Sequence, residues 1–359
     1  MRSKFKPKDA PSETLCQPRG SIVYFLGAGA SKSICSQLPL AADLTLDSLS
    51  KPESYGNQIP PTYDECRALT QFIDSNPKCA AFRGERLESV LEKLRKESRE
   101  HYELVLDFLY LRLSVETHAY EPYSSFAKWL RVVREKRDTI ITTNYDTLVE
   151  CTLMHMGTGE FLPMDALDRD ALHWLDFGVH KSRIHKYTDG RQWLTPPEES
   201  VLLLKLHGSI SWLFCEHCGT YLLDPGWQHA REGSKLPSGY GPCAECKQAG
   251  APRRTVIVPP LAEKDYSDAA IQEIWARAKE VLGRAEETIF VGFSLDKADV
   301  GVRHLLKEAL GQGSTGRVTI VDWNSSGVEK NYREVYGNLV HVAPERDWKQ
   351  FLERSFSTE

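Results

Sequence analysis

The sequence predicts an α/β protein built on a doubly wound, Rossmann-like parallel sheet. Short apolar segments alternate with amphipathic helical segments along most of the 359 residues, and helix-length connections favour parallel strands. Polar or glycine-rich motifs directly follow several of the apolar segments, at the strand ends where ligands bind in open α/β sheets. Two Cys-x-x-Cys pairs in the second half of the chain add a small zinc-binding module to this sheet.

Composition and charge are those of a folded, water-soluble protein. A hydrophobic content of 41% is sufficient for a sizeable core. The net charge of −5 argues against a protein that binds nucleic acid directly. No apolar stretch has the length of a membrane span or the pattern of a signal peptide, and the cysteines outside the two pairs are scattered, as in reduced intracellular proteins. We therefore expect a cytoplasmic protein that does not bind membranes.

The first predicted strand leads into a turn of small residues. Residues 1–20 are polar and basic and are expected to form a flexible arm before a single large domain at 21–359. The strand is Ile22–Leu26, and the small residues that follow it include Gly27, Ala28, Gly29 and Ser31. Such a turn lets the backbone approach a phosphate closely, although a tight strand-to-helix turn alone also favours glycine. The third glycine of the usual dehydrogenase fingerprint is absent.

A charged helical insertion at about 62–136 interrupts the alternation. Between residues 83 and 119, apolar residues recur at helical spacing, which predicts one long or two consecutive amphipathic helices. The charges most simply form a solvated face. The alternative is a lid or an oligomer contact built on this insertion.

The second predicted strand, at 138–142, is followed by Asn144 and Asp146. The simpler interpretation is that both residues cap the helix expected to begin near Thr147, which is a common role of these residue types. The alternative is a binding role at the carboxyl edge of the sheet.

The third predicted strand brings a histidine to the same edge. Residues 201–206 form a short apolar run that ends at His207-Gly208-Ser209, as expected of a buried strand. A zinc-binding module at about 213–250 follows, and its predicted ligands are Cys215, Cys218, Cys243 and Cys246. Four thiolates complete a tetrahedron and leave no open position, so the zinc is expected to be structural. The alternatives are four incidental cysteines, or His217 as a substitute ligand.

Three further strands are expected to complete the parallel sheet, at 255–258, 288–291 and Arg317–Val321. Helices are predicted at 267–282 and at about 300–310. Polar residues again follow two of these strands: Gly292 and Ser294 the second, Asp322 and Asn324 the third.

The order of these motifs resembles the sirtuin fold over roughly residues 21–341. The matching motifs are Gly-Ala-Gly-x-Ser, Thr-x-Asn-x-Asp, His-Gly-Ser, the two Cys-x-x-Cys pairs, Gly-x-Ser and a late Asp-x-Asn. Sirtuins cut the bond between nicotinamide and ribose in NAD. The resemblance therefore implies NAD as the substrate here.

The resemblance also implies a role for each motif. Asn144 and His207 are the expected catalytic residues, with His207 as the base, a role that suits histidine near neutral pH; the alternative is a structural histidine beneath the zinc module. Asp146 would hold the nicotinamide ribose and carboxamide together with Asn144. The implied cofactor contacts are Ala28 and Ser31 in the phosphate loop, Gly27 and Gly29 giving the backbone room, Gly292 and Ser294 at phosphate and ribose, and Asn324 with Asp322 at the adenosine ribose.

Two segments depart from the pattern of protein-deacylating sirtuins. Residues 37–42 stand near the usual Gly-Ile-Pro-x-Phe-Arg and lack its Phe and Arg. That Phe helps to shield the reacting ribose from water, so its loss is compatible with hydrolysis. Residues 258–260 read Val-Pro-Pro where deacylases usually have Phe-Gly-Glu and add the acylated peptide as a strand. Proline has no backbone donor, so this edge is poorly suited to strand addition.

The residues within these motifs resemble those of the bacterial branch of sirtuin-like NADase effectors in antiviral defence. The implied reaction is hydrolysis of NAD⁺ to nicotinamide and ADP-ribose. Such effectors are generally inactive until triggered, so we expect a homo-oligomer and a separate activating or sensor protein, such as a co-encoded ATPase or nuclease. The alternatives are an NAD-dependent protein deacylase and a non-catalytic module that binds NAD or ADP-ribose.

Overall fold

The computed structural model describes most of the chain. The described residues are 20–36, 38–50, 70–71, 73–75, 84–113, 124–156, 175–180, 200–223, 246, 253–261, 264–311 and 316–356. The predicted arm, the loop at 51–61 and Cys243 lie outside them.

A seven-stranded parallel sheet forms the centre of the described fold, which confirms the predicted fold class. Its order is β10-β9-β8-β1-β2-β4-β3. The strands are β1 (Ile22–Leu26), β2 (Thr139–Thr142), β3 (Leu175–Asp176), β4 (Val201–Lys205), β8 (Glu287–Val291), β9 (Arg317–Val321) and β10 (Val340–Val342). From β1 the chain moves outward first through β2 and β4 and later through β8, β9 and β10. The order therefore reverses between β1 and β8, and in open α/β sheets such a reversal marks the ligand-binding crevice at the carboxyl ends of the strands.

A second, antiparallel sheet follows β4 directly. It has the order β6-β5-β7 and consists of β5 (Gly208–Cys215), β6 (Tyr221–Leu223) and β7 (Arg253–Ile257). The expectation that the strand at 255–258 joins the parallel sheet is therefore wrong. Gly208 permits the transition between the sheets, because its φ is +75° and a Cβ there would lie 2.0 Å from the Val256 carbonyl oxygen.

Helices cover the parallel sheet, so its central strands are buried almost throughout. The predicted helical region appears as two consecutive helices, α3 and α4 in the numbering used here. The described helices are α1 (Ala28–Ile34), α2 (Leu46–Ser50), α3 (Leu87–Glu97), α4 (Arg99–Leu113), α5 (Ser124–Lys136), α6 (Leu148–Met156), α7 (Ala269–Arg284), α8 (Val300–Leu310), α9 (Ser325–Tyr336) and α10 (Trp348–Phe356), with 3₁₀ turns at Ala41–Asp43 and Gly337–Leu339. None of these helices is both long and apolar enough to cross a membrane.

Two hydrophobic cores hold these elements together. The larger core includes both faces of the parallel sheet, and the smaller one joins α2, α3 and α4 to Leu261. The sequence patterns did not identify α10, yet its Trp348 lies in the larger core with its ring centroid 5.0 Å from that of Trp129. Trp348, Phe351 and Leu352 stand at helical spacing, so the sequence did carry a signal for α10, whereas its packing on Trp129 depends on distant segments.

Candidate functional site

Two glycine turns meet at the point where the strand order reverses. Gly27 and Gly29 follow β1, and Gly292 follows the adjacent β8. Gly29 donates its N–H to the Gly292 carbonyl over 2.9 Å, and a Cβ on Gly292 would lie 2.2 Å from the nitrogen of Ala30. Contact between the two turns therefore requires glycine whether or not a ligand binds. In this conformation the Gly29 N–H is used within the protein.

Asn144 connects the end of β2 to the first glycine turn. Its amide nitrogen donates to the Gly27 carbonyl and to the Ser31 hydroxyl, each over 2.9 Å. Its backbone N–H donates to the hydroxyl of Thr142 over 3.0 Å. Two motifs of the predicted site thus meet through one side chain, and the capping role considered for Asn144 is not what the geometry shows.

Asp146 does act as a helix cap. Its carboxylate accepts the N–H of Leu148, the first residue of α6, over 3.1 Å. The side chain is buried, and its backbone carbonyl accepts a hydrogen bond from Lys205. Asp146 therefore fixes the loop that carries Asn144.

His207 lies in the turn between the two sheets and is 4% exposed. Val258 donates its N–H to the His207 carbonyl over 2.8 Å, and the Trp275 indole donates to the Leu206 carbonyl over 2.8 Å. The rings of Tyr145 and Tyr266 lie next to the imidazole, with centroids 6.0 Å and 6.2 Å away. Hydrogen bonds to the backbone of residues 206 and 207, together with the ring contacts of the imidazole, thus fix the position of His207.

The imidazole is neutral and has one nitrogen available. Burial and the nearby Lys264 ammonium lower the pKa of His207 to about 3, although a hydrogen bond with the Thr143 backbone opposes the shift. Among the described residues, its Nε2 is buried without a hydrogen-bond partner. An unpartnered buried acceptor is costly unless a ligand completes it. The site thus fits a ligand that brings a hydroxyl group or a water molecule to Nε2.

Residues 258–261 line the transition next to His207, and their backbone donors are all accounted for. Val258 donates to His207, Leu261 donates to the Pro259 carbonyl over 2.8 Å, and the two prolines between them have no N–H. The Val258 carbonyl also accepts the Tyr145 hydroxyl over 2.7 Å. This segment offers no N–H group to an added strand.

The residues predicted to hold the adenosine half follow β8 and β9. Ser294 and Asn324 are exposed, and Asp322 is buried. Burial raises the pKa of the Asp322 carboxyl, which accepts the N–H of Asn324 over 2.8 Å. Because β8 and β9 are adjacent and in register up to Val291 and Val321, all three residues lie at the same sheet edge as the glycine turns.

Three of the four predicted zinc ligands converge at the end of β5. The sulfur atoms of Cys215, Cys218 and Cys246 all lie within 4.8 Å of one another, and those of Cys215 and Cys246 are 3.9 Å apart. Tetrahedral zinc with Zn–S bonds of about 2.3 Å separates its sulfur ligands by about 3.8 Å. The described cysteines therefore fit zinc, and Cys243 would supply the fourth thiolate.

Replacing Cys215 with serine is expected to reduce bound zinc from about one ion per chain to a small fraction, because the chelating set loses its buried member. Metal analysis of the purified protein measures this. Treatment of the wild type with a strong chelator should lower the Tm, since the ion links β5 to the segment at Cys246. Cys35→Ser, outside the cluster, is the control and should retain its zinc. If the wild type contains no zinc and the chelator leaves its Tm unchanged, the assignment is wrong.

Four residues of the site were not identified from the sequence: Glu150, Lys205, Tyr145 and Tyr266. Lys205 offered a signal, because a lysine in an apolar strand must find a partner or lose its charge. The two tyrosines offered none, since their positions next to His207 depend on contacts between distant segments.

Comparison with known proteins gives one family match. The profile of the SIR2-like domain family matches residues 138–341. The chain is similar to a structure of Sir2Tm bound to a propionylated peptide, at 14% identity and a TM-score of 0.41. This similarity covers 94% of the present chain and 92% of the other. A structure of Sir2 with a p53 peptide and NAD⁺ is similar at 16% identity and a TM-score of 0.41, with 94% of the present chain and 92% of the other covered. The search of curated proteins finds no match.

Proposed function

The chain belongs to the SIR2-like domain family, and from this membership we propose that it hydrolyses NAD⁺ to nicotinamide and ADP-ribose. The family supports use of NAD, and the residues around His207 decide which acceptor the ribose meets. Water, rather than an acylated lysine, is the acceptor that this site favours.

The observation that carries the proposal is the backbone of residues 258–261. Peptide substrates that bind as an added strand need free N–H and carbonyl groups along an edge. Here the donors are absent at Pro259 and Pro260 and internally bonded at Val258 and Leu261. A deacylase that holds its peptide at this segment would lack the donors it needs, whereas a water molecule needs only a base.

The proposed chemistry uses Asn144 and His207. The bond between ribose C1′ and the nicotinamide nitrogen breaks, and its electron pair leaves with nicotinamide. Water then bonds to C1′ and gives its proton to Nε2 of the neutral His207 imidazole. The Asn144 carboxamide, held by Gly27 and Ser31, orients the ribose and its leaving group. Positive charge develops on the ribose during cleavage, so a neutral base is better suited here than an imidazolium.

The proposed biological role is that of a regulated toxic effector in bacterial antiphage defence, acting by NAD depletion. Hydrolysis without a second organic substrate would drain NAD unless the enzyme were controlled. The similarity of the Gly-Ala-Gly-Ala-Ser, Thr-Asn-Tyr-Asp and Lys-Leu-His-Gly-Ser motifs to that branch supports this role. Helices α3 and α4, which have their own core, are the candidate surface for homo-oligomer assembly or for a sensor protein such as a co-encoded ATPase or nuclease.

The test is nicotinamide release from NAD⁺ by the purified protein without peptide. It should be run over a wide range of protein concentrations, with the oligomeric state measured in parallel by light scattering. We expect release without peptide, and a specific activity that rises where the protein assembles. A parallel reaction with an acetylated lysine peptide should leave the rate unchanged.

Two results would overturn the proposal. Release that occurs only with the acylated peptide would identify a deacylase. Binding of NAD⁺ without release at any concentration, with and without peptide and also after addition of co-encoded proteins, would identify a non-catalytic binding module.

A further inference from the structure

A lysine and a glutamate form an ion pair inside the protein next to the site. The Lys205 ammonium lies 2.8 Å from a carboxylate oxygen of Glu150, and each side chain is 1% exposed. The same ammonium donates a second hydrogen bond to the backbone carbonyl of Asp146. One buried cation therefore has two acceptors, Asp146 in the loop between β2 and α6 and Glu150 in the first turn of α6.

The position of Lys205 connects the two expected catalytic segments. It is the last residue of β4, its Cα is paired with that of Thr142 at the end of β2, and His207 follows it by two residues. Asp146, whose carbonyl it binds, follows Asn144 by two residues. A single side chain thus joins the loop of Asn144 to the turn of His207.

Stability alone does not explain this pair. Moving two charges out of water is costly, and apolar residues of similar volume often replace a buried ion pair without loss of stability. Residues 201–204 of the same strand are all Val or Leu, so an apolar residue would suit the position. What an ion pair adds is direction, because charge-assisted hydrogen bonds fix the geometry of the groups they join.

We propose that Lys205, held by Glu150, is a positioning residue that sets the Asn144 loop and the His207 turn in the relative geometry required for cleavage of NAD. The inference rests on the proposed function for its kinetic consequence. Its structural part, the ordering of residues 143–147 by Lys205, stands independently.

The main variant is Lys205→Met combined with Glu150→Met, which removes both charges and leaves neither one buried alone. We expect the double variant to unfold in urea at the wild-type midpoint or above it. Its kcat for NAD should fall about 10- to 100-fold, because small misplacements of catalytic groups have effects of this size. Its KM should change less than about threefold, since the binding groups themselves remain.

A matched control uses an ion pair away from the site. Lys279 and Glu308 lie 3.3 Å apart and join α7 to α8. Lys279→Met with Glu308→Met should leave kcat and KM at their wild-type values. Glu150→Gln is a second variant that keeps the shape of the side chain and an oxygen that can accept from Lys205, but removes the carboxylate charge. Because it leaves the Lys205 ammonium buried without its counterion, its urea midpoint should be lower than that of the wild type, and the folded variant should lose about three- to tenfold in kcat.

Hydrogen exchange separates failure of this inference from failure of the proposed function. In both Glu150 variants, the amides of residues 143–147 should exchange faster than in the wild type, while those of β1 and β8 should not change. If the wild type does not hydrolyse NAD, the proposed function has failed, and hydrogen exchange alone tests the structural part of the inference. Unchanged exchange of residues 143–147 in folded Glu150→Gln, together with wild-type kcat where the wild type is active, would overturn the inference.

Discussion

Replacing His207 with alanine is expected to lower the rate of NAD hydrolysis by about 10²- to 10⁴-fold, the range over which positioned acid–base groups act. The physical reason is the loss of Nε2, the buried acceptor that no described residue satisfies. Nicotinamide release under saturating NAD measures the effect. The protein should still fold, because the larger core does not depend on this side chain.

His304→Ala is the matched control, since this histidine is exposed on α8 and, within the described part of the chain, pairs with Glu308 on the same helix. Its activity should equal that of the wild type. A His207→Ala variant that keeps more than about half of the activity would exclude His207 as the base, whatever the effect on stability.

The pH dependence of kcat/KM and of stability tests the role of His207 independently. The pKa of His207 is lowered from 6.5 to about 3 in the folded, ligand-free protein, so kcat/KM should show no acid inflection near 6.5. Between these two values the unfolded chain binds a proton that the folded protein does not, so His207 makes the fold less stable as the pH falls through this window. The His207→Ala variant should therefore lose less stability than the wild type between pH 6.5 and pH 4.

Replacing Gly292 with alanine is expected to destabilise the protein by about 2–5 kcal/mol, from roughly 1–2 kcal/mol for the left-handed backbone and roughly 1–3 kcal/mol for overpacking. Its φ is +56°, and the added Cβ would lie 2.2 Å from the nitrogen of Ala30 and 2.4 Å from the carbonyl carbon of Gly29. The neighbours are backbone atoms and have no rotamers by which to move away. Urea denaturation followed by circular dichroism measures the loss.

Gly337→Ala isolates the backbone contribution. Gly337 has nearly the same φ, +57°, but a Cβ there would meet nothing within 4 Å. Its ψ of −124° lies outside the left-handed helical region, so this control should cost about 1–3 kcal/mol, the range for a sparsely populated backbone conformation. If both variants lose the same stability, the two glycine turns are not in the close contact described, and the crevice between β1 and β8 has a different shape.

The sequence predicted the parts of the fold that depend on local pattern. Apolar runs bounded by small or polar residues identified β1, β4, β8 and β9, and helical spacing identified α3 and α4 as a pair. Membership of β7 in the second sheet could not be predicted in this way, because a short run such as residues 255–258 pairs equally well in either direction. The chain leaves the parallel sheet after β4, and β5, which begins at Gly208, pairs antiparallel with β7.

The candidate site was predictable to a similar extent. Asn144 and His207 were identified by their places after strands, and the geometry brings the loop of one and the turn of the other to adjacent strand ends. The different tasks of Asn144 and Asp146 were not separable, since both residue types cap helices and both bind ligands. Lys205 and Glu150 meet only because β4 pairs with β2 and α6 folds back over that pair. No local pattern encodes such a contact.

The strand order also has a consequence for how the protein is made. β1 lies at the centre of the sheet, but its neighbours β2 and β8 are synthesised much later, and β8 brings the Gly292 that completes the first glycine turn. During translation the amino-terminal part of the chain therefore cannot form the crevice before β8 has been synthesised. The site at this edge of the sheet therefore cannot form until β8 and Gly292 have left the ribosome. The same dependence on distant strands predicts slow folding after release.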